Sequence, residues 1–397
     1  MKINKNSGMK KSNIRYGPEM KVLIVGGGIA GLTLAGLLQQ RGFTPKVVEQ
    51  ASEYGKVGYV IVIWPSGSRV LKGLGLYEQL KKAGCHFTKY NVYDYKGNII
   101  NSYTIEKVIK KYGPIISIYR PELINILRKA IDPNLIKMNT TISSIKETDD
   151  CVEVEYDDGL AEKFDIVIGC DGIKSKTRSH IFGEQPLTYS GMSGWGFWVD
   201  PQFSESDGIV EYWGKGKFFG MWPTKGKLAV FSSVRVEKNT YKNNHSKIDD
   251  IKNAFKGFGG VVPKILNQLN DPDEIYQDNY NDLRINSWSK GRVVLVGDAA
   301  HAVLPNAGAG VSMAMESAAV LAEELCRTDS KYFTHSFTQY ETRRRSRVGK
   351  VQDQSRIMGK LIYANSHILS SLRDRLMKLY SSGLLYKYWD KILKDPL

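Results

Sequence analysis

A glycine-rich turn near the N-terminus constrains the fold more than any other segment. Residues 26–31 read Gly-Gly-Gly-Ile-Ala-Gly and match the pattern GxGxxG. An apolar segment, 21–25, precedes the turn and is predicted as a buried strand, and 29–40 is predicted as the helix that follows. A second predicted strand, 44–49, ends in Glu49, 18 residues after Gly31. The segment therefore predicts a βαβ unit that binds a dinucleotide.

Each conspicuous residue of this unit has a chemical reason. Gly26 permits the tight turn, Gly28 lets the backbone approach a pyrophosphate, and Gly31 lets the helix pack closely on the strand. The positive end of the helix dipole faces the phosphates. Glu49 is expected to accept hydrogen bonds from a ribose.

A second motif lies mid-chain. The apolar segment 164–169 is predicted as a buried strand that delivers Asp171 and Gly172 into a turn, with Ser175 and Arg178 just beyond. Taken alone, a strand that ends in Asp-Gly is a common turn. The motif indicates a binding site only in combination with the other two motifs.

A third motif follows the predicted strand 292–296. Asp298 stands at the strand end, where a carboxylate can bind cofactor hydroxyl groups. A run of small residues then leads into a predicted helix, 311–326, whose N-terminus favours negative charge. The residues between allow a flat ring to approach the backbone: Pro305, Ala307, Gly308, Ala309 and Gly310. His301 fits a structural histidine better than a catalytic one.

The order of the three motifs resembles the class A FAD-dependent aromatic hydroxylases, a family that includes salicylate, 4-hydroxybenzoate and urate hydroxylases. The resemblance covers roughly residues 20–350. Segment 57–67 looks like the family's GxxIxxxPNG, and 119–123 like its Arg-x-x-Leu. The chain departs from the family pattern at Gln50, Ala309, Ser312 and Ser317.

The resemblance, with the aromatic alternation of 187–283, implies an α/β fold with three parts. A discontinuous Rossmann-like FAD-binding domain of the GR2 type would comprise 20–75, 105–184 and 285–345. An antiparallel-sheet substrate domain would comprise 76–104 and 185–284, and C-terminal helices 346–397. Residues 1–19 are expected to form a flexible leader.

The same resemblance assigns cofactor contacts residue by residue. Glu49 would bind the adenosine ribose, Arg120 would lie near the pyrophosphate, and Asp171 would serve both the FAD pyrophosphate and NAD(P)H. Asp298 would bind the ribityl chain. The remaining expected contacts are Gly26, Gly28, Gly31, Gly172, Pro305, Gly308, Ala309, Gly310 and Val311.

The implied reaction is a hydroxylation. NAD(P)H would reduce FAD, and a flavin C4a-hydroperoxide formed with O2 would transfer oxygen to a planar aromatic or heteroaromatic substrate. Candidates for the pocket wall are Trp213, Phe219, Met221, Trp222 and Pro305, although each of the first four fits ordinary sheet core equally well. The sequence identifies no general base.

Three other functions stay open. A tetracycline-inactivating monooxygenase would share all three motifs. A flavin-dependent halogenase shares the fold, but Trp195 and Trp198 give WxxW in place of WxWxxP. A non-oxygenating, membrane-docked flavin module would draw support from the basic C-terminal region.

The charge distribution and the cysteine content limit the partners and the cellular compartment that the protein is expected to have. The net charge is +15. Residues 331–397 hold 14 Lys/Arg against 5 Asp/Glu and residues 1–21 hold 6 against 1, so the middle of the chain is nearly neutral. This distribution argues against nucleic-acid binding and permits at most weak contact with a membrane surface. The uncharged run 22–40 contains five glycines and does not suit a transmembrane helix. Four cysteines without CxxC spacing predict a cytoplasmic protein with no metal site. A monomer or a homodimer is expected.

Overall fold

The fold is taken from a computed structural model that describes residues 17–55, 58–204, 208–241 and 246–394. The expected leader lies largely outside these residues. Its last three residues, Gly17–Glu19, form a 3-10 turn, and the Gly17 N–H donates a hydrogen bond to the Thr328 carbonyl oxygen (3.3 Å).

The described chain is mixed α/β. The strands are β1 Val22–Val25, β2 Lys46–Val48, β3 Val60–Ile63, β4 Cys85–His86, β5 Lys89–Asp94, β6 Ile99–Thr104, β7 Ile116–Tyr119, β8 Ile136–Lys137, β9 Ile142–Glu147, β10 Val152–Tyr156, β11 Ala161–Phe164, β12 Ile166–Gly169, β13 Thr188–Val199, β14 Gly208–Gly214, β15 Lys217–Pro223, β16 Leu228–Arg235, β17 Tyr276–Asp282, β18 Ser289–Lys290 and β19 Val293–Leu295. The helices are α1 Ile29–Gln39, α2 Pro65–Gly73, α3 Tyr77–Ala83, α4 Glu106–Tyr112, α5 Arg120–Arg128, α6 Lys176–Phe182, α7 Lys247–Ala254, α8 Val262–Leu266, α9 Asp298–His301, α10 Gly310–Leu325, α11 Phe333–Ile362, α12 His367–Leu379 and α13 Ser382–Leu393.

A six-stranded sheet gathers segments from the beginning, middle and end of the chain. Its order is β18-β19-β12-β1-β2-β8, and its pairs are parallel except for β18 with β19. Every residue of β1 and β12 is buried, as expected for strands covered on both faces. The predicted discontinuous α/β fold is confirmed, and α1 packs against α10 beside this sheet.

A seven-stranded sheet forms the second layer, in the order β17-β13-β16-β15-β14-β5-β6. It is antiparallel as predicted, except that β5 and β14 are parallel. A parallel pair needs a long crossover, and here more than 100 residues separate the two strands in the chain. One face of the sheet packs against α7 and α8 through Phe219, Phe255 and Ile265.

Two predicted boundaries shift in the structure. The helix predicted over 66–80 is divided into α2 and α3, because Gly75 adopts a φ of +77° that interrupts the helix. Residues 76–88 of the predicted substrate domain include α3, which packs against α2 and α5, and β4, which pairs with β7. The seven-stranded sheet therefore receives its first strand only at Lys89.

The C-terminal region consists of three helices. The expected boundary at 345/346 falls inside α11, a continuous helix of 30 residues. The α12 helix packs on β6, and α13 packs on α4 and β6. None of the described helices combines the length and the apolarity that are needed to cross a bilayer.

Candidate functional site

The three sequence motifs meet at one edge of the six-stranded sheet. Val25 lies opposite Gly169, and Gly169 lies opposite Leu295, so the strands β1, β12 and β19 end side by side. The Cys170 N–H donates to the Val25 carbonyl oxygen (2.7 Å), and the Val296 N–H donates to that of Gly169 (2.9 Å). Parallel strands bring their carboxyl ends to the same edge, where ligands of open α/β sheets bind.

The glycine-rich turn is shaped by close backbone approach. Gly26 has a φ of +105°, and a Cβ there would stand 2.5 Å from the Cys170 carbonyl oxygen. A Cβ on Gly31 would collide with the carbonyl oxygen of Gly26. A Cβ on Gly28 would meet no protein atom within 4 Å, so protein packing does not explain this glycine. Gly28 precedes α1 and gives it no side-chain cap.

Glu49 lies against the same turn. Its Oε2 accepts a hydrogen bond from the Gly27 N–H (2.7 Å), and its Oε1 accepts one from the Ala51 N–H (3.0 Å). The carboxylate thus fixes the turn. Since each oxygen can accept more than one bond, it retains capacity for a ribose hydroxyl.

Asp171 is held within its own turn. Its Oδ1 accepts from the Ser175 hydroxyl (2.6 Å), and its Oδ2 accepts from the Thr177 N–H (2.9 Å) and hydroxyl (3.0 Å). These contacts order the start of α6, and Gly172 turns the chain with a φ of +76°. The geometry gives Asp171 a positioning role, whereas direct contact with FAD and NAD(P)H stays a prediction.

The buried Arg178 links the second motif to the third. Its guanidinium donates to the carbonyl oxygens of Ala299 (3.0 Å) and Ile173 (2.7 Å). This bridge couples the Asp-Gly turn to the strand end that carries Asp298. Arg178 was noted in the sequence, but its partner becomes visible only in the fold.

Asp298 and the start of α10 border a cavity of about 340 Å³. The Asp298 side chain is exposed toward this cavity, while surrounding protein raises the pKa of its carboxyl group and the charge of Arg120 lowers it. The expected ring-contact residues all line the same wall: Pro305, Gly308, Ala309, Gly310 and Val311. Arg120 begins α5 and, like Glu49, is outside the set of lining residues.

Ser312, one of the departures from the family pattern, has a clear contact. Its Oγ accepts a hydrogen bond from the Trp64 N–H (2.9 Å), which ties the start of α10 to the segment before α2. A Cβ on Gly67 would stand 2.9 Å from that oxygen, so Gly67 lets α2 approach α10.

The cavity lies between the two sheets and is closed by the C-terminal helices. Its other walls come from the seven-stranded sheet, from β3 and its flanks, and from α11 and α13. Most of the lining side chains are apolar, and ten of them are aromatic: Tyr59, Trp64, Phe87, Tyr90, Phe218, Trp222, Phe231, Tyr363, Tyr388 and Trp389. Such a space suits a flat, apolar ligand.

Of the five expected pocket residues, four lie on the seven-stranded sheet and divide between its two faces. Trp222 and Pro305 line the cavity. Phe219 and Met221 instead lie in the core beneath α7 and α8, because successive side chains of β15 point to opposite faces. Trp213 shares the cavity's side of the sheet but lies beyond the cavity wall, against the guanidinium of Arg373 (5.4 Å).

A buried carboxylate, that of Glu211, faces the cavity from β14. Its Oε2 accepts hydrogen bonds from the Tyr90 hydroxyl (2.6 Å) and the Trp213 indole N–H (2.8 Å). Burial raises the pKa of Glu211 to about 7, against the opposing effect of these two hydrogen bonds. Sequence reasoning missed Glu211. The alternation of β14 puts Ile209, Glu211 and Trp213 on one face, but only the fold shows that this face is turned toward the cavity.

His301 is structural, as the sequence favoured. Its Nε2 lies 3.0 Å from the Ser317 Oγ, and its ring packs against Trp288. Burial and the charge of Arg344 lower its pKa to about 3, which keeps the imidazole neutral. Among the described residues, no cluster of His, Cys, Asp and Glu could hold a metal ion.

Comparison with known proteins also indicates an FAD-binding protein. A family model described as "FAD binding domain" matches residues 19–355. The 2-heptyl-3-hydroxy-4(1H)-quinolone synthase of Pseudomonas aeruginosa is 28% identical over 363 residues, which cover 91% of this chain and 94% of that protein.

Two solved structures share the fold. HpxO of Klebsiella pneumoniae, complexed with FAD and uric acid, aligns with a TM-score of 0.89 at 23% identity, over 96% of this chain and 98% of that one. The tetracycline destructase Tet(51) aligns with a TM-score of 0.73 at 26% identity, over 94% and 98%. With the family match spanning most of the sequence, the chain belongs to the class A FAD-dependent monooxygenases, the aromatic hydroxylase family.

Proposed function

We propose that the protein is a single-component monooxygenase that uses FAD, NAD(P)H and O2 to hydroxylate a planar aromatic or heteroaromatic substrate. The overall change would be substrate C–H, O2, NAD(P)H and H⁺ to C–OH, H2O and NAD(P)⁺. The observation that carries the proposal is the convergence of three strand-end motifs beside an aromatic cavity. We also propose that it works in the cytoplasm.

The residues of the sheet edge fit FAD. The helices α1 and α10 both begin without a side-chain cap, so their first N–H groups are available to the pyrophosphate and the flavin ring. Gly28 adds an open backbone surface, and Asp298 offers a carboxylate to the ribityl hydroxyls. When bound, FAD would supply the reduction of O2 and the oxygen transfer.

The chain's own contribution is to exclude water and to orient the substrate. Aromatic walls provide a dry, flat space. We assign to Glu211 the proton from an N–H or O–H group of the substrate, because removing that proton makes the ring more electron-rich. Both hydrogen bonds to Glu211 end on Oε2, so Oε1 is the oxygen that we expect to meet the substrate donor.

Known relatives support a heteroaromatic substrate. One relative is named for a quinolone, and the HpxO structure holds uric acid. Both are flat nitrogen heterocycles that carry N–H groups, which is the donor that Glu211 would engage.

Inactivation of tetracyclines is a second candidate, supported by the 26% identity with Tet(51). Incubation of an antibiotic with the enzyme and NADPH, followed by a growth-inhibition assay, separates the two functions. A non-oxygenating redox module would incorporate no oxygen from O2 into an aromatic substrate.

The direct test is a spectrum followed by a substrate screen. The purified protein should be yellow with a flavin-like absorbance, and planar heteroaromatics should stimulate NAD(P)H oxidation. Mass spectrometry with isotopically labelled O2 should find one labelled oxygen atom in the product. Colourless protein that ignores added FAD would contradict the proposal.

Replacement of Asp298 by alanine should weaken FAD binding roughly ten- to hundredfold, because a charged hydrogen-bond acceptor is lost. Flavin fluorescence titration of the apoprotein measures this change. The control is Asp150→Ala, at an exposed position in the loop between β9 and β10. Equal FAD affinity in the two variants would remove Asp298 from the cofactor site.

A further inference from the structure

The outer side of α12 carries an unusual set of exposed apolar residues. These are Ile368 (81% exposed), Leu369 (55%), Leu372 (50%), Leu376 (57%) and Leu379 (81%). At 3.6 residues per turn, all five fall within an arc of about 100° on one face of the helix. A contiguous apolar face of this kind marks an interaction site, whereas isolated exposed leucines do not.

The orientation of α12 is fixed by contacts outside this apolar face. The buried Arg373 guanidinium donates to the Ile362 carbonyl oxygen (2.6 Å) and lies over the Trp213 ring. Asn101 of β6 donates to the carbonyl oxygens of Met377 (2.7 Å) and Tyr380 (2.8 Å). Rotation of the helix to bury the leucines would break these contacts, so the apolar face points away from the protein.

Basic side chains flank the apolar face. Arg375 lies next to Ile368 around the helix axis, with Lys378 further round on the same side, and both are exposed. On α13, Lys387 and Lys391 are exposed as well. An apolar stripe bordered by lysine and arginine is typical of helices that lie in the headgroup region of anionic membranes.

We propose that α12 docks this protein on the surface of an anionic lipid bilayer, with the five apolar side chains inserted at the headgroup boundary. A second copy of the chain is a poorer occupant. A two-fold interface brings the same patch of both subunits together, and Arg375 and Lys378 would then add like charge to a shared surface.

Docking would also orient the cavity. The α13 helix follows α12 directly and supplies Leu385, Tyr388 and Trp389 to the cavity wall. Membrane contact therefore brings this helical wall close to the bilayer, from which an apolar aromatic substrate could enter. This consequence rests on the proposed function, whereas the docking itself does not.

Vesicle flotation with the FAD-loaded protein tests the proposal. The wild type should float with phosphatidylcholine vesicles that contain phosphatidylglycerol and should stay largely behind with pure phosphatidylcholine. Leu372→Asn/Leu376→Asn should lower the bound fraction roughly tenfold or more, because less apolar surface is buried. The matched control is Leu160→Asn, at a residue that is 59% exposed on the β10–β11 turn.

A second variant tests whether the basic side chains beside the apolar face contribute to binding of anionic vesicles. Arg375→Gln/Lys378→Gln should bind less to the anionic vesicles and lose the salt sensitivity of the wild type. Flavin absorbance and thermal melting verify that each variant is folded; if the double leucine variant fails to fold, Leu379→Asn at the exposed end of the helix replaces it.

Three results would overturn the docking proposal. The first is a wild type that stays unbound to anionic vesicles, and the second is a leucine variant that floats as well as the wild type. The third is a dimer in analytical ultracentrifugation that the leucine substitutions dissociate, which would assign the face to a second copy. Flotation needs no turnover, so failure here is distinct from failure of the proposed oxygenation.

Discussion

The Glu211→Gln variant is expected to lose about 100-fold or more in kcat/KM for the proposed hydroxylation, in the range of a general base. Glutamine keeps the shape of the side chain and its hydrogen bonds from Tyr90 and Trp213 but cannot take a proton at neutral pH. FAD binding should be unchanged, because the expected cofactor residues lie on another wall of the cavity.

The pH profile gives the second readout. Burial raises the pKa of Glu211 to about 7, so the carboxyl group is protonated and inactive as a base below that pH. The wild type should therefore gain activity as pH rises through about 7, and Glu211→Gln should lack this acid limb. Steady-state rates across the pH range measure both effects.

Tyr90→Phe serves as the matched variant. Its hydroxyl donates to the Glu211 carboxylate and lowers the pKa of that group, so its removal should shift the acid limb toward higher pH without abolishing activity. An acid limb that is identical in the wild type and both variants would show that Glu211 does not set it.

The raised pKa of Glu211 also predicts how the stability of the fold changes with pH. The folded-state pKa of Glu211 lies above its ordinary value of 4.5, so folded protein holds a proton that unfolded protein releases. The free energy of unfolding therefore falls as pH rises from about 4.5 through about 7, and Glu211→Gln should reduce that decline.

The second large effect is expected from Glu316→Ala in α10, which should destabilise the fold by about 3–5 kcal/mol. The buried Glu316 carboxylate receives hydrogen bonds from Arg347 (2.5 and 2.9 Å) and an ion pair from Arg344 (2.8 Å). Burial acts to raise the pKa of Glu316, but these arginines hold it below its ordinary value. Alanine would leave two buried guanidinium groups without their carboxylate.

A control for Glu316 lies on the same helix. Glu323 pairs with Arg327 and Arg343, but it is 39% exposed, so Glu323→Ala should cost less than about 1 kcal/mol. Urea unfolding followed by tryptophan fluorescence compares the two variants. Similar midpoints and slopes would contradict the importance given to the buried cluster.

Ser317, the residue after Glu316, is one of the departures from the family pattern, and the structure gives it defined contacts. Ser317 stands where an aspartate is usual, and its Oγ lies within hydrogen-bond distance of Arg344 Nε (3.2 Å) and His301 Nε2 (3.0 Å). The serine joins α10, α11 and the segment after β19 without adding a second carboxylate. The middle of α10 is thus anchored to α9 and α11.

The sequence by itself determined the fold family and the meeting of the three motifs. The strands before Gly26, Cys170 and Val296 are short, apolar and parallel, and their carboxyl ends must share an edge once they pair. Gly31 must be glycine because a Cβ there would meet the carbonyl oxygen of Gly26 within the same turn, and the positive φ of Gly26 is likewise local, so both glycines were readable from the spacing.

Tertiary structure alone decided which side chains face the cavity. Trp222 and Phe219 lie three residues apart on β15, so alternation sends them to opposite faces. Which face meets the cavity is decided by tertiary packing, because α7 and α8 cover the face that carries Phe219. Glu211 owes its raised pKa to burial among walls that come from distant segments, against the opposing effect of the hydrogen bond from Tyr90. The closure by α13 depends likewise on helix packing that local sequence does not encode, because burial and electrostatics arise from neighbours brought together by the fold.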